Sequence, residues 1–257
     1  MSPQVDTTTQ DSFQGGSLRV DDVHVWHVDL ESDQAVVEAL TKLLSEDERG
    51  RAARFRFERH RRRFVVRRAA LRALLGRYTD SPASALRFLY SPRGKPELSG
   101  CTNSDAIHFS SSHSHELCII AVTETGPIGV DIEYLRPIPE ADDIARRHFS
   151  EAELRDLMDV APLDHQRAFF NCWTRKEAYV KAVGDGLSIP LDSFDVTLMP
   201  GDPPRMLADR LGGGMSVWSL FDLKLAAGYV AALALEHPAP RISVQPVNFS
   251  LEGSELI

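Results

Sequence analysis

Two hydrophobic patterns recur along the chain and predict its secondary structure. Short apolar or alternating runs, which are typical of strands, occupy residues 23–30, 86–90, 107–109, 117–122, 128–134, 194–199, 215–220 and 228–235. Apolar residues at helical spacing occupy residues 35–44, 58–78 and 164–183, and capping-box patterns start helices at Ser45 and Ser150. The two halves of the chain have a loosely similar order of predicted elements, namely a strand, then helices, then several strands. They show no clear sequence repeat.

Composition changes mark the ends and the middle of the chain. Residues 1–17 are rich in Ser, Thr, Gln and Asp and are expected to be disordered. A Thr-Gly-Pro break at 125–127 predicts a boundary between an N-terminal lobe, 18–125, and a C-terminal lobe, 126–237. Residues 238–257 contain three prolines and an acidic end, so we expect a mobile C-terminal tail.

The overall composition favours a cytoplasmic protein with a sizeable core. The 257 residues are 43% hydrophobic and 26% charged, which is ordinary for one large domain or two small ones. The sequence contains no apolar run long enough to cross a bilayer and no basic-then-apolar leader, so a membrane location is not expected. Cys101, Cys118 and Cys172 have no metal-site spacing, and their odd number argues against a disulfide framework.

Positive charge is concentrated in one stretch of the chain. Residues 49–77 contain twelve arginines and one acidic residue, Glu58, and so carry +11, which leaves −19 for the remainder of a chain with net charge −8. Such a patch indicates a local anionic partner. A solvated helix face explains the run equally well, and both interpretations stay open.

Residues 129–133 place two carboxylates on one side of a short apolar strand. Because side chains alternate along a strand, Asp131 and Glu133 project together, and two like charges in a partly buried sheet need a cation between them. On the helix at 164–183, Glu177 and Lys181 are four residues apart and share a face. Such carboxylates suit Mg²⁺ that also contacts phosphate; the alternative is two solvated acids and a surface Glu–Lys pair.

Two polar segments add basic and hydroxyl groups. Residues 91–96, Ser-Pro-Arg-Gly-Lys-Pro, predict a turn that holds a lysine between glycine and proline. Residues 110–115, Ser-Ser-Ser-His-Ser-His, are predicted to connect two strands. A hydroxyl-rich connection can cradle phosphate, although most serine-rich loops are ordinary surface segments.

Together these segments resemble the signature of a known family, the Sfp-type 4′-phosphopantetheinyl transferases. The resemblance rests on GVDIE at 129–133, FSEAE at 149–153 and WTRKEAYVKAVGDGLS at 173–188, whose WxxKEA form resembles one subgroup of the family. The segment at 44–78, GKP at 94–96 and SSHS at 111–114 are similar to the N-terminal half of that family. The similarity extends over roughly residues 20–237.

The resemblance implies a fold and a reaction. The implied fold is α+β, with two similar α/β lobes in a pseudo-twofold arrangement, coenzyme A in the cleft between them and a monomeric state. The implied reaction moves the 4′-phosphopantetheine arm of coenzyme A to a serine of an apo acyl or peptidyl carrier protein and releases adenosine 3′,5′-bisphosphate. The implied partners are carrier proteins of polyketide, nonribosomal peptide or fatty acid synthesis, and neither nucleic acid nor membrane.

The resemblance also implies roles for individual residues. Asp131, Glu133 and Glu177 would ligate Mg²⁺ on the pyrophosphate, and Glu177 would also act as base for the carrier serine. Lys181 and Lys176 would balance phosphate charge, with Lys181 nearer the transferred phosphoryl group. The other implied contacts with coenzyme A are Gly94, Lys95 and Pro96 at the adenine end, Ser112 and His113 at the phosphates, and Arg51 or Arg63 at the 3′-phosphate.

Three residues depart from the family pattern. His115 stands where a glycine is usual after SHS, Arg93 precedes GKP where an aromatic residue can stand, and Glu58 falls near a phosphate-binding lysine of some relatives. Three other interpretations stay open: nucleic-acid binding through residues 49–77, a catalytically silent protein that binds coenzyme A, and a metal pair formed by His113 with His115.

Overall fold

The computed structural model of the chain describes residues 18–19, 21–99, 107–184, 189–210, 218–237 and 240–249. The helices of these residues are α1 (Gln34–Thr41), α2 (Glu46–Ala53), α3 (Glu58–Tyr78), α4 (Ala141–His148), α5 (Glu151–Asp159) and α6 (Pro162–Val183). The strands are β1 (Asp22–Asp29), β2 (Arg87–Tyr90), β3 (Pro96–Ser99), β4 (His108–Ser114), β5 (Leu117–Thr123), β6 (Ile128–Tyr134), β7 (Phe194–Val196), β8 (Met206–Asp209), β9 (Ser219–Asp222), β10 (Tyr229–Leu235) and β11 (Arg241–Val247). These elements confirm the predicted α+β class.

Two sheets form the centre of the molecule. The first has strand order β11-β1-β5-β4 and the second has β6-β10-β9, while β2–β3 and β7–β8 form separate hairpins. Strand pairs are antiparallel except β1 and β11, which run parallel. The edge strands β4 and β6 lie beside each other, so the two sheets meet along these strands.

Each sheet packs a long helix on its outer face and the other sheet on its inner face. Helix α3 and the first sheet share a core that includes Leu71 and Ile120, and α6 shares a second core with β10. A third core joins the sheets, with Ile119 of β5 and Val130 of β6 among its members. Because apolar burial stabilises a fold by about 25 cal/mol per Å², this third core holds the two sheets against each other.

Residues 110–115 form mostly strand, so the predicted loop is wrong. Strand β4 continues to Ser114 and pairs in register with β5, for example Ser112 with Ile119. The segment lacks the β-branched and aromatic residues that favour strands, and its hydroxyls find partners on the neighbouring strand β6 instead. The turn is confined to residues 115–116, where His115 has a φ of 54°.

The predicted mobile tail at 238–257 is wrong for Arg241–Val247. This segment is β11, and it pairs in parallel with β1 along nearly the whole of that strand. Ile242 and Val247 are buried. Pro246 is tolerated because β11 lies at the edge of its sheet, where a missing amide donor is not needed. The first sheet is therefore completed from the C-terminal end of the chain.

Some sequence predictions fall outside the described residues. These are the disorder of residues 1–17, the position of Cys101, the motif end at 185–188 and the strand start at 215–217. The lobe boundary at 125–127 remains a prediction. None of the helices in the described ranges is both long and apolar enough to cross a membrane.

Gly129 sets the distance between β6 and α6. A Cβ atom at this position would lie 2.0 Å from the carbonyl oxygen of Ala178 and 2.3 Å from the amide nitrogen of Ala182. A glycine is therefore needed for the backbone of α6 to rest directly on β6. This contact brings the helix face that carries Lys181 over the strand that carries Asp131.

Gly129→Ala is expected to destabilise the protein, because the added methyl group collides with helix backbone rather than with a movable side chain. We expect the free energy of unfolding, measured by urea denaturation, to fall by about 1–3 kcal/mol or more. Gly50→Ala is the control: nothing lies within 4 Å of its Cβ position, and alanine within a helix raises stability by up to about 1 kcal/mol. A Gly129→Ala variant as stable as the parent would contradict this close contact.

Candidate active site

Serine side chains connect β4 to β6, which belong to different sheets. Ser110, Ser112 and Ser114 are spaced by two and so project from the same side of β4. The Ser110 hydroxyl accepts a hydrogen bond from the amide of Val130 at 3.2 Å, and the Ser114 hydroxyl accepts one from the amide of Tyr134 at 3.1 Å. We name this junction the serine seam: Ser110, Ser112 and Ser114 of β4 against residues 130–134 of β6.

The serine seam also holds two carboxylates of β6. Ser112 donates a hydrogen bond to Oδ1 of Asp131 at 2.8 Å. Ser114 donates one to Oε2 of Glu133 at 2.7 Å. The hydroxyls that join the two strands therefore also fix the orientation of both acids.

Lys181 of α6 makes a charged contact with Asp131. The Nζ of Lys181 lies 2.6 Å from Oδ1 of Asp131 and 3.0 Å from Oγ of Ser112. The Asp131 side chain is 7% exposed, and its other oxygen, Oδ2, is buried without a hydrogen-bond partner among the described residues. Because a buried acceptor without a partner is costly, this oxygen is suited to take a cation or a donor from a ligand.

Glu177 lies near both carboxylates of the seam. Burial raises the pKa of Glu177, the negative charges of Asp131 and Glu133 raise it too, and the positive charge of Lys181 opposes them. Strand alternation and the four-residue helix spacing thus bring the four predicted residues together. The raised pKa makes Glu177 a stronger proton acceptor than an ordinary glutamate.

The carboxylates fit Mg²⁺ as a site that a substrate completes. Within the described ranges, no group of three or more His, Cys, Asp or Glu side chains is arranged to hold a metal ion. Mg²⁺ usually takes one or two carboxylates and fills its shell with substrate phosphates and water, and Oδ2 of Asp131 is a suitable oxygen. The ligand set Asp131, Glu133 and Glu177 remains a prediction, and a metal pair of His113 and His115 finds no support.

Cationic side chains surround His113 of β4. The pKa of His113 is lowered to about 4 by loss of hydration and by the positive charges of Arg67, Lys181 and Arg63. The imidazole is therefore neutral at pH 7 while its neighbours are cationic. Such a group of positive charges attracts an anion, as expected for a phosphate-binding region.

Arg67 belongs to this region; helical spacing predicts that Arg59, Arg63 and Arg67 share a face that can point at a ligand, although no specific contact was predicted for Arg67. The guanidinium carbons of Arg67 and Arg51 lie 5.2 and 5.4 Å from the ring centroid of Phe64. Burial lowers the pKa of Arg67, and the positive charge of Arg51 contributes in the same direction. Arg67 follows Arg63 by four residues on α3, and this spacing was the available signal.

Arg63 is already paired with carboxylates. Its Nε donates to Oε1 of Glu31 at 2.7 Å, and its Nη2 donates to Oε1 of Glu116 at 3.3 Å. A phosphate would have to compete with both acids for this guanidinium. Arg51 and Arg67 are therefore better candidates for anion binding, and the role of Arg63 at the 3′-phosphate stays a prediction.

Lys176 does not reach the seam, and its predicted phosphate contact is wrong. Its side chain is 0% exposed, and its Nζ lies 2.8 Å from Oε2 of Glu153. The same nitrogen donates to the carbonyl oxygens of Leu191 at 2.6 Å and Phe194 at 2.5 Å. Adjacent helix residues point about 100° apart, so Lys176 faces the interior while Glu177 faces the seam.

The turn at 94–96 lies against the C-terminal end of α6. The Nζ of Lys95 donates to the carbonyl oxygen of Ala182 at 2.8 Å and to that of Ile128 at 3.4 Å. A cavity of about 240 Å³ is lined by Gly94, Lys95 and Pro96, by Ser110 and Ser111 and by Lys181. A cavity of about 530 Å³ shares Lys95 and Pro96 with it. The turn therefore borders both cavities, and the smaller one also reaches Ser110 of the seam and Lys181.

Comparison with known proteins identifies the family. A family model described as "4′-phosphopantetheinyl transferase superfamily" matches residues 127–234, and one described as "4′-phosphopantetheinyl transferase, N-terminal" matches residues 31–125. The 4′-phosphopantetheinyl transferase HetI of Nostoc sp. is 37% identical over 219 residues, which are 85% of this chain and 90% of the relative. The 4′-phosphopantetheinyl transferase Sfp of Bacillus subtilis is 29% identical over 82% of this chain and 91% of its own. The chain belongs to the 4′-phosphopantetheinyl transferase superfamily.

The two lysines of α6 are expected to differ in their effect on stability. Lys176→Met leaves the buried carboxylate of Glu153 without its cation, so we expect the free energy of unfolding to fall by about 3–5 kcal/mol. Lys181→Met, the comparison, removes a lysine whose side chain is 32% exposed, so water can replace it beside Asp131 and the loss of stability should be smaller than for Lys176→Met. Urea denaturation of both variants measures the difference. Equal losses of stability would argue against a structural role for Lys176.

Proposed function

We propose that this 4′-phosphopantetheinyl transferase moves the 4′-phosphopantetheine arm of coenzyme A to a serine of an apo acyl or peptidyl carrier protein. Adenosine 3′,5′-bisphosphate is the second product, and Mg²⁺ is required. The observation that carries the proposal is the group formed by Asp131, Glu177 and Lys181: an acidic oxygen without a partner among the described residues, a proton acceptor and an ammonium. Phosphoryl transfer depends on such charge stabilisation and positioning.

Coenzyme A is proposed to lie along the cleft with its nucleotide near the turn at 94–96. The cavity beside that turn also reaches Lys181, which supports a path from the adenine end to the seam. Arg51 and Arg67 supply positive charge for the 3′-phosphate, because both lie over the ring of Phe64 and Arg67 also lies near His113. This position leaves the pyrophosphate close to Asp131.

Asp131, Glu133 and Glu177 are the proposed ligands of Mg²⁺. When bound, the ion would neutralise the pyrophosphate and polarise the reacting phosphoryl oxygen. Ser112 and Ser114 hold two of these acids through hydrogen bonds of 2.8 and 2.7 Å. Such outer partners keep carboxylates oriented for a metal.

Glu177 is also the proposed base. The carrier serine passes its hydroxyl proton to Glu177, directly or through a water, while its oxygen bonds to the phosphorus that carries the arm. The bond from that phosphorus to the leaving bisphosphate breaks in the same displacement. Lys181 stabilises negative charge on the phosphoryl oxygens.

The arginine-rich stretch at 49–77 supports this reading better than nucleic-acid binding. Arg68 and Arg72 both pair with the buried Glu48, and Arg61 and Arg63 also contact carboxylates. These arginines stabilise the lobe and are not available to a long polyanion, whereas coenzyme A needs only a local cluster of charge. A protein that binds coenzyme A without catalysis is disfavoured, because both Asp131 and the proposed base Glu177 are present at the candidate site.

The natural partner is proposed to be a carrier protein of polyketide, nonribosomal peptide or fatty acid synthesis. The WTRKEA sequence at 173–178, through its resemblance to the WxxKEA subgroup, supports this class of partner. We propose further that the enzyme acts in the cytoplasm as a monomer, with lobes at 18–125 and 126–237.

The decisive test is incubation with coenzyme A, Mg²⁺ and an apo carrier protein, followed by intact mass spectrometry of the carrier. We expect the carrier to gain one phosphopantetheinyl group, and a chelator to prevent the gain. Asp131→Asn and Glu177→Gln should each lower the transfer rate about a hundredfold or more. Asp156→Asn, an exposed acid on α5, is the control and should keep the full rate.

Circular dichroism and urea denaturation should show that both site variants remain folded, because neither substitution removes an apolar side chain. Undiminished transfer by Asp131→Asn or Glu177→Gln would contradict the site. Absence of any mass gain by the parent enzyme with several carriers would contradict the reaction.

A further inference from the structure

His115 occupies a backbone conformation that favours glycine. It stands in the turn between β4 and β5 with a φ of 54°, a region that residues other than glycine rarely adopt, although histidine tolerates it better than most. Its side chain is exposed. An unfavourable backbone conformation held by an exposed side chain is a reason to look for a function of that side chain.

The imidazole of His115 belongs to a cluster of three rings. It stacks on Tyr134 with a centroid distance of 4.6 Å and an interplanar angle of 20°. Tyr134 meets Tyr229 edge to face at 5.1 Å and 64°, and the hydroxyl of Tyr229 accepts a hydrogen bond from the amide of Glu116 at 3.3 Å. We name His115, Tyr134 and Tyr229 the aromatic rim; its members are exposed or half-buried.

The aromatic rim lies at one end of the serine seam. Ser114 joins the two features, because its hydroxyl contacts both the carboxylate of Glu133 and the amide of Tyr134. The opposite end of β6 is marked by Ile128, whose carbonyl oxygen accepts a hydrogen bond from Lys95. At about 3.3 Å per residue, the six residue steps from Ile128 to Tyr134 separate these two ends by roughly 20 Å, with Asp131 between them.

We propose that the aromatic rim is the subsite for the pantetheine arm of coenzyme A. The inference rests on the proposed function, which puts the adenine end near Lys95, the 3′-phosphate near Arg51 and Arg67, and the pyrophosphate near Asp131. Coenzyme A is a linear molecule with its arm on the far side of the pyrophosphate from the nucleotide. The arm must then leave the cleft past Glu133, where the rim stands.

The chemistry of the rim suits this ligand. The arm carries a dimethyl group, two planar amides and a thiol, but no charge. Aromatic faces bind methyl groups and stack on planar groups, and side chains already packed against one another lose little freedom on binding. The ring of His115 rests on Tyr134 in this way.

The test compares coenzyme A with adenosine 3′,5′-bisphosphate, which lacks the arm, by isothermal titration in the presence of Mg²⁺. His115→Gly should raise the Kd of coenzyme A about threefold to tenfold and leave the Kd of the bisphosphate unchanged. This variant should fold, because glycine is favoured at a φ of 54°. Tyr229→Leu is a second rim variant with the same expected result. His60→Ala changes an exposed histidine on α3 and is the control, which should bind both ligands as the parent does.

Three results would overturn the inference. If His115→Gly raised the Kd of coenzyme A and of the bisphosphate equally, the effect would lie at the nucleotide or the pyrophosphate and not at the arm. Unchanged binding of coenzyme A with a raised KM for the carrier would make the rim a docking surface for the carrier. A parent enzyme that binds neither ligand would instead refute the proposed function, and this inference with it.

Discussion

Serine hydroxyls at the meeting of β4 and β6 are the interaction on which the candidate site depends. Ser110 and Ser114 satisfy amides of β6 that a neighbouring strand would otherwise bond through its carbonyl groups. A hydroxyl that accepts one hydrogen bond still has a proton to donate, and Ser114 gives its proton to Glu133 while Ser112 donates to Asp131. The same side chains therefore join the two sheets and orient the two acids of the candidate site.

Helix α6 borders the site together with β4 and β6. Its position brings like charges close together, which is electrostatically unfavourable. Gly129 lets the helix rest on β6, which brings Glu177 near two other carboxylates, with Lys181 as the nearby cation. Burial is the largest cause of the raised pKa of Glu177, and the negative charges of Asp131 and Glu133 add to it. A ligand that brings positive charge would relieve the repulsion among these carboxylates. The cluster therefore contributes less to stability than an apolar contact would, but it favours binding of a cation. The buried pair of Lys176 with Glu153 lies outside this cluster and joins α6 to α5.

Features that follow a simple period could be predicted from the sequence. Alternation on β6 and the four-residue spacing on α6 led to Asp131, Glu177 and their neighbours, and the structure brings them together. Lys176 was misplaced because it adjoins Glu177 in the motif, and a motif does not show which side of a helix is buried. The strand at 110–114 was missed because its hydroxyls bond to a segment some twenty residues later. The strand Arg241–Val247 was missed because the three prolines of residues 238–257 indicated a tail, whereas its partner strand lies more than two hundred residues earlier.

Amide hydrogen exchange with and without coenzyme A and Mg²⁺ tests most directly whether the serine seam is the binding site. The account predicts that ligand slows exchange at residues 110–114, 128–134 and 177–183, because binding there suppresses local opening. The hairpin of β7 and β8, on the far side of Lys176, should exchange at the same rate in both conditions. Protection confined to other segments, with exchange along β4 and β6 unchanged by ligand, would contradict the account.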